Sequence, residues 1–221
     1  MIFRPPPTIR VHPHGFKPRG LHRACPFGRS RGRRGIALFR AKASFSGHKG
    51  ILSLVKEVVS AHARDYHGYV DKFFKYDPQA MGAKGLVYIG KKIVVFRRAA
   101  NQYTFPLQLD LPGGGPEEGE TPFETYQREI KEELGLDIER SDIVYAKRYE
   151  SRFVKGKFAH FPVAALPAKA KRDIELGEEG LEYHLMTPSQ FLACTDVAWP
   201  VLQERTKAYL DTVAEARAKA R

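Results

Sequence analysis

Three glutamates, Glu129, Glu132 and Glu133, crowd together beside Arg128 and Lys131. Local signals make the run helical. Thr121 is an N-cap, Pro122 suits the first helical position, Glu124 completes a T-x-x-E capping box, and Gly135 ends the run as a left-handed C-terminal residue. Phe123, Tyr126, Gln127, Ile130 and Leu134 share one side of that helix, and the three glutamates share another. Glu129 and Glu133, four apart, lie within roughly 6 Å of one another, and like charges at that spacing cost a few tenths of a kcal/mol unless something offsets them. A hard divalent cation would do so. Magnesium takes oxygen ligands at roughly 2.0 to 2.1 Å and keeps several waters, so a few carboxylates plus phosphate oxygens complete its shell. Taken alone, an acidic face of this kind is more often the solvated side of a surface helix, with Arg128 and Lys131 as ion-pair partners.

The wider spacing decides between these readings. Gly114, five residues, Glu120, seven residues, then Arg-Glu-Ile-Lys-Glu-Glu-Leu-Gly-Leu over 128–136 resembles the Nudix box at every defined position. At roughly one in fifteen per position, seven fixed residues coincide by chance on the order of once in 10⁸ windows. The resemblance implies an α/β fold, an α/β/α sandwich with a mixed β-sheet, over about 81–210. It implies hydrolysis of a nucleoside diphosphate-linked substrate, with Glu129, Glu132 and Glu133 as metal ligands. Arg128 would orient a glutamate, and Glu120 would help secure the loop to the helix. Gly113 and Gly114 would let the backbone approach metal and phosphate closely. The cofactor implied is Mg²⁺, with Mn²⁺ as the alternative. The cation would screen the phosphates and acidify the water that attacks phosphorus in line, expelling pyrophosphate or a nucleoside monophosphate. Glu132 is the first choice for general base, with Arg128 and Glu129 completing the catalytic set. In similar enzymes the base or a further ligand can lie beyond the box, and Glu178, Glu179 and Glu182 are candidates here.

The box identifies the reaction better than the substrate. The ADP-ribose subgroup resembles a pattern with proline about sixteen residues after the second box glycine, where this chain has Ser151. Elimination leaves a nucleoside triphosphate, oxidised forms included, as the leading small-molecule substrate, with ADP-ribose and dinucleoside polyphosphates open. Arg97 and Arg98 either meet substrate phosphates or are simply exposed. Tyr149, Phe153 and Phe158 are core aromatics in the commoner case and base-stacking ones in the other. Two rivals remain: a non-catalytic nucleotide-sensing module, whose mark would be loss of the carboxylates, and an enzyme acting on RNA 5′ ends with help from the basic leader.

Several elements must position the glutamates. Residues 85–89 and 92–96 are β-branched runs separated by Gly90-Lys91, a hairpin with glycine first as a type II′ turn prefers. Leu107, Leu109 and Leu111 alternate with Gln108 and Asp110, predicting a short half-buried strand into the glycine-rich turn 112–115. Strands are predicted at 143–149, 158–166 and 181–186, the first two joined by a hairpin around Lys155-Gly156. Thr187 begins a second capping box, and a last helix starts near Pro200 with Val201, Leu202, Tyr209, Leu210 and Val213 facing inward.

The chain of 221 residues has a formal net charge of +12, unevenly placed. Residues 1–50 hold 12 Lys and Arg and no acid, leaving 25 basic and 25 acidic residues in 51–221. Nucleic acid is therefore not an expected partner of the folded domain, although a basic leader permits nonspecific binding. Residues 1–50 are expected to be disordered. They read as a solvated tail or over-long start, an organellar transit peptide, or a nucleic-acid-binding arm. Residues 51–78 read as an amphipathic helical segment and 79–221 as the Nudix domain. Cys25 and Cys194 form neither a CxxC pair nor a zinc-like spacing, which favours a reducing compartment. The location expected is cytoplasmic, organellar if the leader is a transit peptide. No apolar run approaches the roughly 20 residues of a membrane helix. A homodimer stays open.

Overall fold

The computed structural model describes residues 70–219. The readings of 1–50 and of 51–69 lie outside them. What is described begins as helix from 70 to 73, and its last residue, Phe73, is fully buried. Eight strands and three α-helices follow: β1 (Ala80–Lys84), β2 (Leu86–Ile89), β3 (Lys92–Arg98), β4 (Leu109–Asp110), β5 (Gly113–Gly114), α1 (Pro122–Leu134), β6 (Ile143–Glu150), β7 (Phe158–Leu166), β8 (Gly180–Met186), α2 (Pro188–Leu192) and α3 (Pro200–Lys219). Among these described residues no helix is long and apolar enough to cross a membrane.

The strands form one mixed sheet. β7 runs parallel to β1 and β2 along one edge and antiparallel to β6 along the other. β3 pairs antiparallel with β2, β4 and β8. β1 and β2 are two halves of one extended run, broken at Gly85. A Cβ there would fall 1.9 Å from the Pro162 carbonyl oxygen, and its N–H donates to Pro112 O at 3.0 Å. The break changes partners: β1 takes β5 on its free edge, whereas β2 takes β3. The glycine-rich loop is thereby drawn onto the sheet beside Lys84.

Helices cover both faces. Phe123, Tyr126, Ile130 and Leu134 of α1 pack with Val87, Ile89, Val94, Ala146 and Ala164 in one buried cluster. Each such fully buried large side chain stabilises by roughly 1.5 to 3 kcal/mol. On the opposite face, Tyr209 of α3 meets Tyr88 and Tyr145, with ring centroids 6.4 and 5.0 Å apart. The result is the expected α/β/α sandwich.

Most predicted elements occur within a residue or two of the boundaries read from sequence. Gly90 takes φ 63° in the β2–β3 turn, and Gly156 takes φ 74° in the loop between β6 and β7. The strand expected over 107–111 is the exception. Only Leu109 and Asp110 are extended and paired, while Leu107 is exposed with φ 63°. Pro106 has no N–H to offer a neighbouring strand, and the backbone on either side of it, Phe105 and Leu107, turns through positive φ instead.

Candidate active site

The helix carrying the glutamates is fixed at both ends by its own sequence. The Thr121 hydroxyl accepts the Glu124 N–H, the Glu124 carboxylate accepts the Thr121 N–H, and Gly135 closes the helix at φ 69°. Tyr126 pins the middle of α1 to the sheet by donating its hydroxyl to Leu86 O at 3.0 Å. A second restraint comes from the segment after β7. Glu175 and Gly177 donate their N–H groups to the last carbonyls of α1, Leu134 at 2.9 Å and Glu133 at 3.1 Å.

Arg128 organises the acidic face. Its Nε donates to Glu120 Oε1 at 2.8 Å, one terminal nitrogen donates to Glu129 Oε1 and Glu132 Oε2 at 3.1 Å each, and the other donates to Gly115 O at 2.9 Å. One guanidinium thus joins the loop, the helix and three of the box acids. Those hydrogen bonds, against burial and with help from the Glu117 N–H and Thr125, hold the Glu120 pKa down at about 2.

Glu133 behaves differently. It is 4% exposed, and its Oε2 accepts the Gly113 N–H at 2.8 Å. Burial pushes its pKa up to about 8, with Lys84 and the Gly113 N–H only partly opposing that rise. Burial also raises Glu129, partly offset by Arg128 and Lys84. Gly113 and Gly114 are needed where they are. Gly113 sits at φ 124° with any Cβ 2.1 Å from Ala83 O, and a Cβ on Gly114 would fall 2.3 Å from Glu129 Oε1.

Two groups that the sequence reading passed over, the buried Asp110 and the partly exposed Lys84, complete the charge balance. Asp110, fully buried, accepts from Lys84 Nζ at 2.9 Å and from Arg98 at 3.1 Å. Burial opposes the charge on Lys84, but Asp110 and Glu133 together keep its pKa above the usual lysine value. A charged residue alternating with two leucines just before the glycine turn was the available signal for Asp110. Arg97 and Arg98 point to opposite sides of β3. Arg98 is taken by Asp110, and Arg97 donates to Glu182 at 2.9 Å and Asp196 at 3.0 Å. Both guanidiniums are committed to carboxylates that would have to release them before they met phosphate. Glu178 and Glu179 are exposed, in the turn just past the contact of Gly177 with α1.

The donor set suits a hard divalent cation: hard carboxylate oxygens with two members half-buried or buried, beside glycines whose lack of a side chain lets the loop backbone pack directly against Glu129 and β1. Among the described residues no three such groups already converge on a single point, because Arg128 draws Glu129 and Glu132 while Glu133 turns to Gly113. Beside Gly114 and Gly115 opens a cavity of about 280 Å³ walled by Phe153, Trp199 and Arg205. Of the three aromatics weighed from sequence, only Phe153 lines it. Tyr149 lies under the Arg205 guanidinium and Phe158 under that of Arg148.

Comparison with known proteins agrees with the geometry. The family model for the NUDIX domain matches residues 79–204. A curated relative, nucleoside triphosphatase NudI of Salmonella arizonae, is 34% identical over 102 residues, covering 43% of this chain and 72% of the relative. A solved bifunctional NMN adenylyltransferase/ADP ribose pyrophosphatase of Francisella tularensis, complexed with AMP and manganese, superposes with a TM-score of 0.51 at 15% identity. That match covers 70% of this chain but only 49% of the other, a likeness of fold alone. The MutT protein of Methanosarcina mazei gives a TM-score of 0.44 at 22% identity, over 61% of this chain and 98% of that one.

Proposed function

The chain belongs to the Nudix family and is a pyrophosphohydrolase acting on phosphoanhydride bonds; from that premise we propose that its substrate is a nucleoside triphosphate, oxidised forms included, cleaved to the nucleoside monophosphate and pyrophosphate. The observation that carries the reading is the ion-pair set around Arg128, which holds Glu120, Glu129 and Glu132 together and ties them to Gly115, a residue lining the aromatic-walled cavity. Similarity to a protein named nucleoside triphosphatase supports the triphosphate over other phosphoanhydrides. Ser151, where the ADP-ribose subgroup resembles a proline pattern, supports it too. Here the Ser151 hydroxyl accepts the Phe153 and Val154 N–H groups and shapes the cavity loop.

Glu129, Glu132 and Glu133 would hold a divalent cation, Mg²⁺ first and Mn²⁺ as the alternative. When bound, such an ion neutralises phosphate charge and lowers the pKa of water. Gly113 and Gly114 keep the loop backbone close to the phosphates. Glu132, its side chain 58% exposed, is the member of the set open to solvent, and a carboxylate oxygen of Glu132 accepts the proton of the attacking water. Glu133 is too enclosed for that exchange and acts as a ligand and loop anchor. Arg128 orients Glu129 and Glu132 through the hydrogen bonds already present.

The test is product release from nucleoside triphosphates, ADP-ribose and dinucleoside polyphosphates, with Mg²⁺, Mn²⁺ or EDTA. Metal-dependent formation of monophosphate and pyrophosphate is expected, with the rate of Glu132→Gln lower by about 10²- to 10⁴-fold. Absence of turnover with nucleotide binding intact would instead identify a sensing module.

A further inference from the structure

Arg205 stands out because no carboxylate among the described residues forms an ion pair with it, although the neighbouring Glu204 acts on it at longer range. It lies on the buried side of α3, only 9% exposed, and its Nε is sealed from solvent with no hydrogen-bond partner. The face of Tyr149, 4.8 Å from the guanidinium carbon, lies beneath it. The adjacent acid, Glu204, is drawn off by Arg152. Burying a cation and a donor without an acceptor is costly, and native structures rarely do it without a purpose.

The same side chain lines the cavity that Gly114 and Gly115 open onto. Trp199 and Phe153 form its aromatic rim, with ring centroids 6.1 Å apart. A flat ring suits such walls, and a phosphate does not. A guanidinium offers donors and no acceptor, so the edge of that ring must present acceptors. The O6 and N7 atoms of a 6-oxopurine are two adjacent acceptors matched to a guanidinium fork, whereas adenine puts an amino donor in place of O6.

We infer that Arg205 is a specificity-determining residue that reads the acceptor edge of the nucleobase, selecting 6-oxopurine nucleotides over adenine nucleotides. The inference rests on the preceding reading for the presence of a nucleotide in this cavity, and it narrows that reading. 8-Oxoguanine carries an N–H at position 7, so an oxidised guanine nucleotide loses one of the two acceptors and binds more weakly than the unoxidised one.

Trp199 is the chain's single tryptophan, so its fluorescence reports occupancy of the cavity without turnover. In EDTA, the full-length protein is titrated with dGMP, dIMP, 8-oxo-dGMP and dAMP. Expected are similar affinities for dGMP and dIMP and about tenfold weaker binding of dAMP, with 8-oxo-dGMP between. Arg205→Met should weaken dGMP and dIMP about tenfold and leave dAMP unchanged; its melting temperature should hold or rise, since an unmatched buried charge is removed. If that variant does not fold, Arg205→Lys and the wild-type series carry the decision. Equal binding of dAMP and dGMP by the wild type would overturn the inference. So would equal loss of all four nucleotides on substitution, or competition by inorganic phosphate that disappears with Arg205. Discrimination in EDTA without hydrolysis of any triphosphate would sink the preceding reading alone. Hydrolysis without preference between dGTP and dATP would sink this one alone.

Discussion

Glu133 is a side chain costly to the fold at the place proposed for the metal. Burial raises its pKa to about 8, so in the metal-free protein the carboxylate resists ionisation. The folded-state value lies above the unfolded one of about 4.3. Between them the folded state holds the extra proton, so stability falls as pH rises from about 4.3 toward 8. Glutamine keeps an acceptor for the Gly113 N–H and never ionises. In EDTA at pH 8, Glu133→Gln should melt higher than the wild type by about 2 °C or more, and at pH 5 the two should converge. The same variant should lose most of its metal-dependent turnover. A lower melting temperature at pH 8 would mean that Lys84 needs the charge of Glu133, and that the ion pair outweighs the burial.

Elements are held in place by polar ties between distant parts of the chain, and Asp77 is the clearest. It precedes β1 and accepts from Arg148 of β6 at 2.8 Å, lies 3.0 Å from His160 of β7, and accepts the Gln79 N–H. Burial opposes its ionisation, but those hydrogen bonds outweigh it and hold its pKa at about 2. For an acid with a depressed folded-state pKa, the stabilisation is whole above the unfolded value and is lost as pH falls through the folded one. Asp77→Asn should therefore cost about 2 kcal/mol near neutrality, and the gap in melting temperature should close as pH falls from about 4 to about 2. A gap constant with pH would show that packing, not charge, makes the tie. None of this was legible beforehand: Asp77 fell at the end of the segment read as amphipathic helix over 51–78, because its partners lie some seventy to eighty residues away. The α1 helix was legible to its ends because Thr121, Glu124 and Gly135 act within one or two turns of themselves. Arg205 was missed for the opposite reason to Asp77. It sits on the inward stripe between Leu202 and Tyr209, where a charge looks like a break in the pattern rather than a site.

At the scale of the whole molecule, charge separates residues 1–50 from the rest of the chain. The basic excess resides in residues 1–50, while 51–221 carry 25 acidic and 25 basic residues. Charge that acts on a polyanion shows itself as salt dependence, because each neutralised phosphate releases counterions on binding. On the proposed reading a free triphosphate would be bound by the loop and helix of residues 113–136 and would need nothing from residues 1–50. Removing residues 1–50 should leave kcat/KM for the preferred triphosphate within about twofold, with its salt slope unchanged between roughly 50 and 200 mM. Triphosphorylated RNA, assayed beside it, separates the two readings. An RNA enzyme would lose affinity and flatten its salt slope on truncation, because its leader supplies backbone contacts that a mononucleotide cannot offer. An unchanged mononucleotide rate together with a collapsed RNA rate would make the leader the determinant of substrate size, and the cavity beside Gly114 the determinant of base.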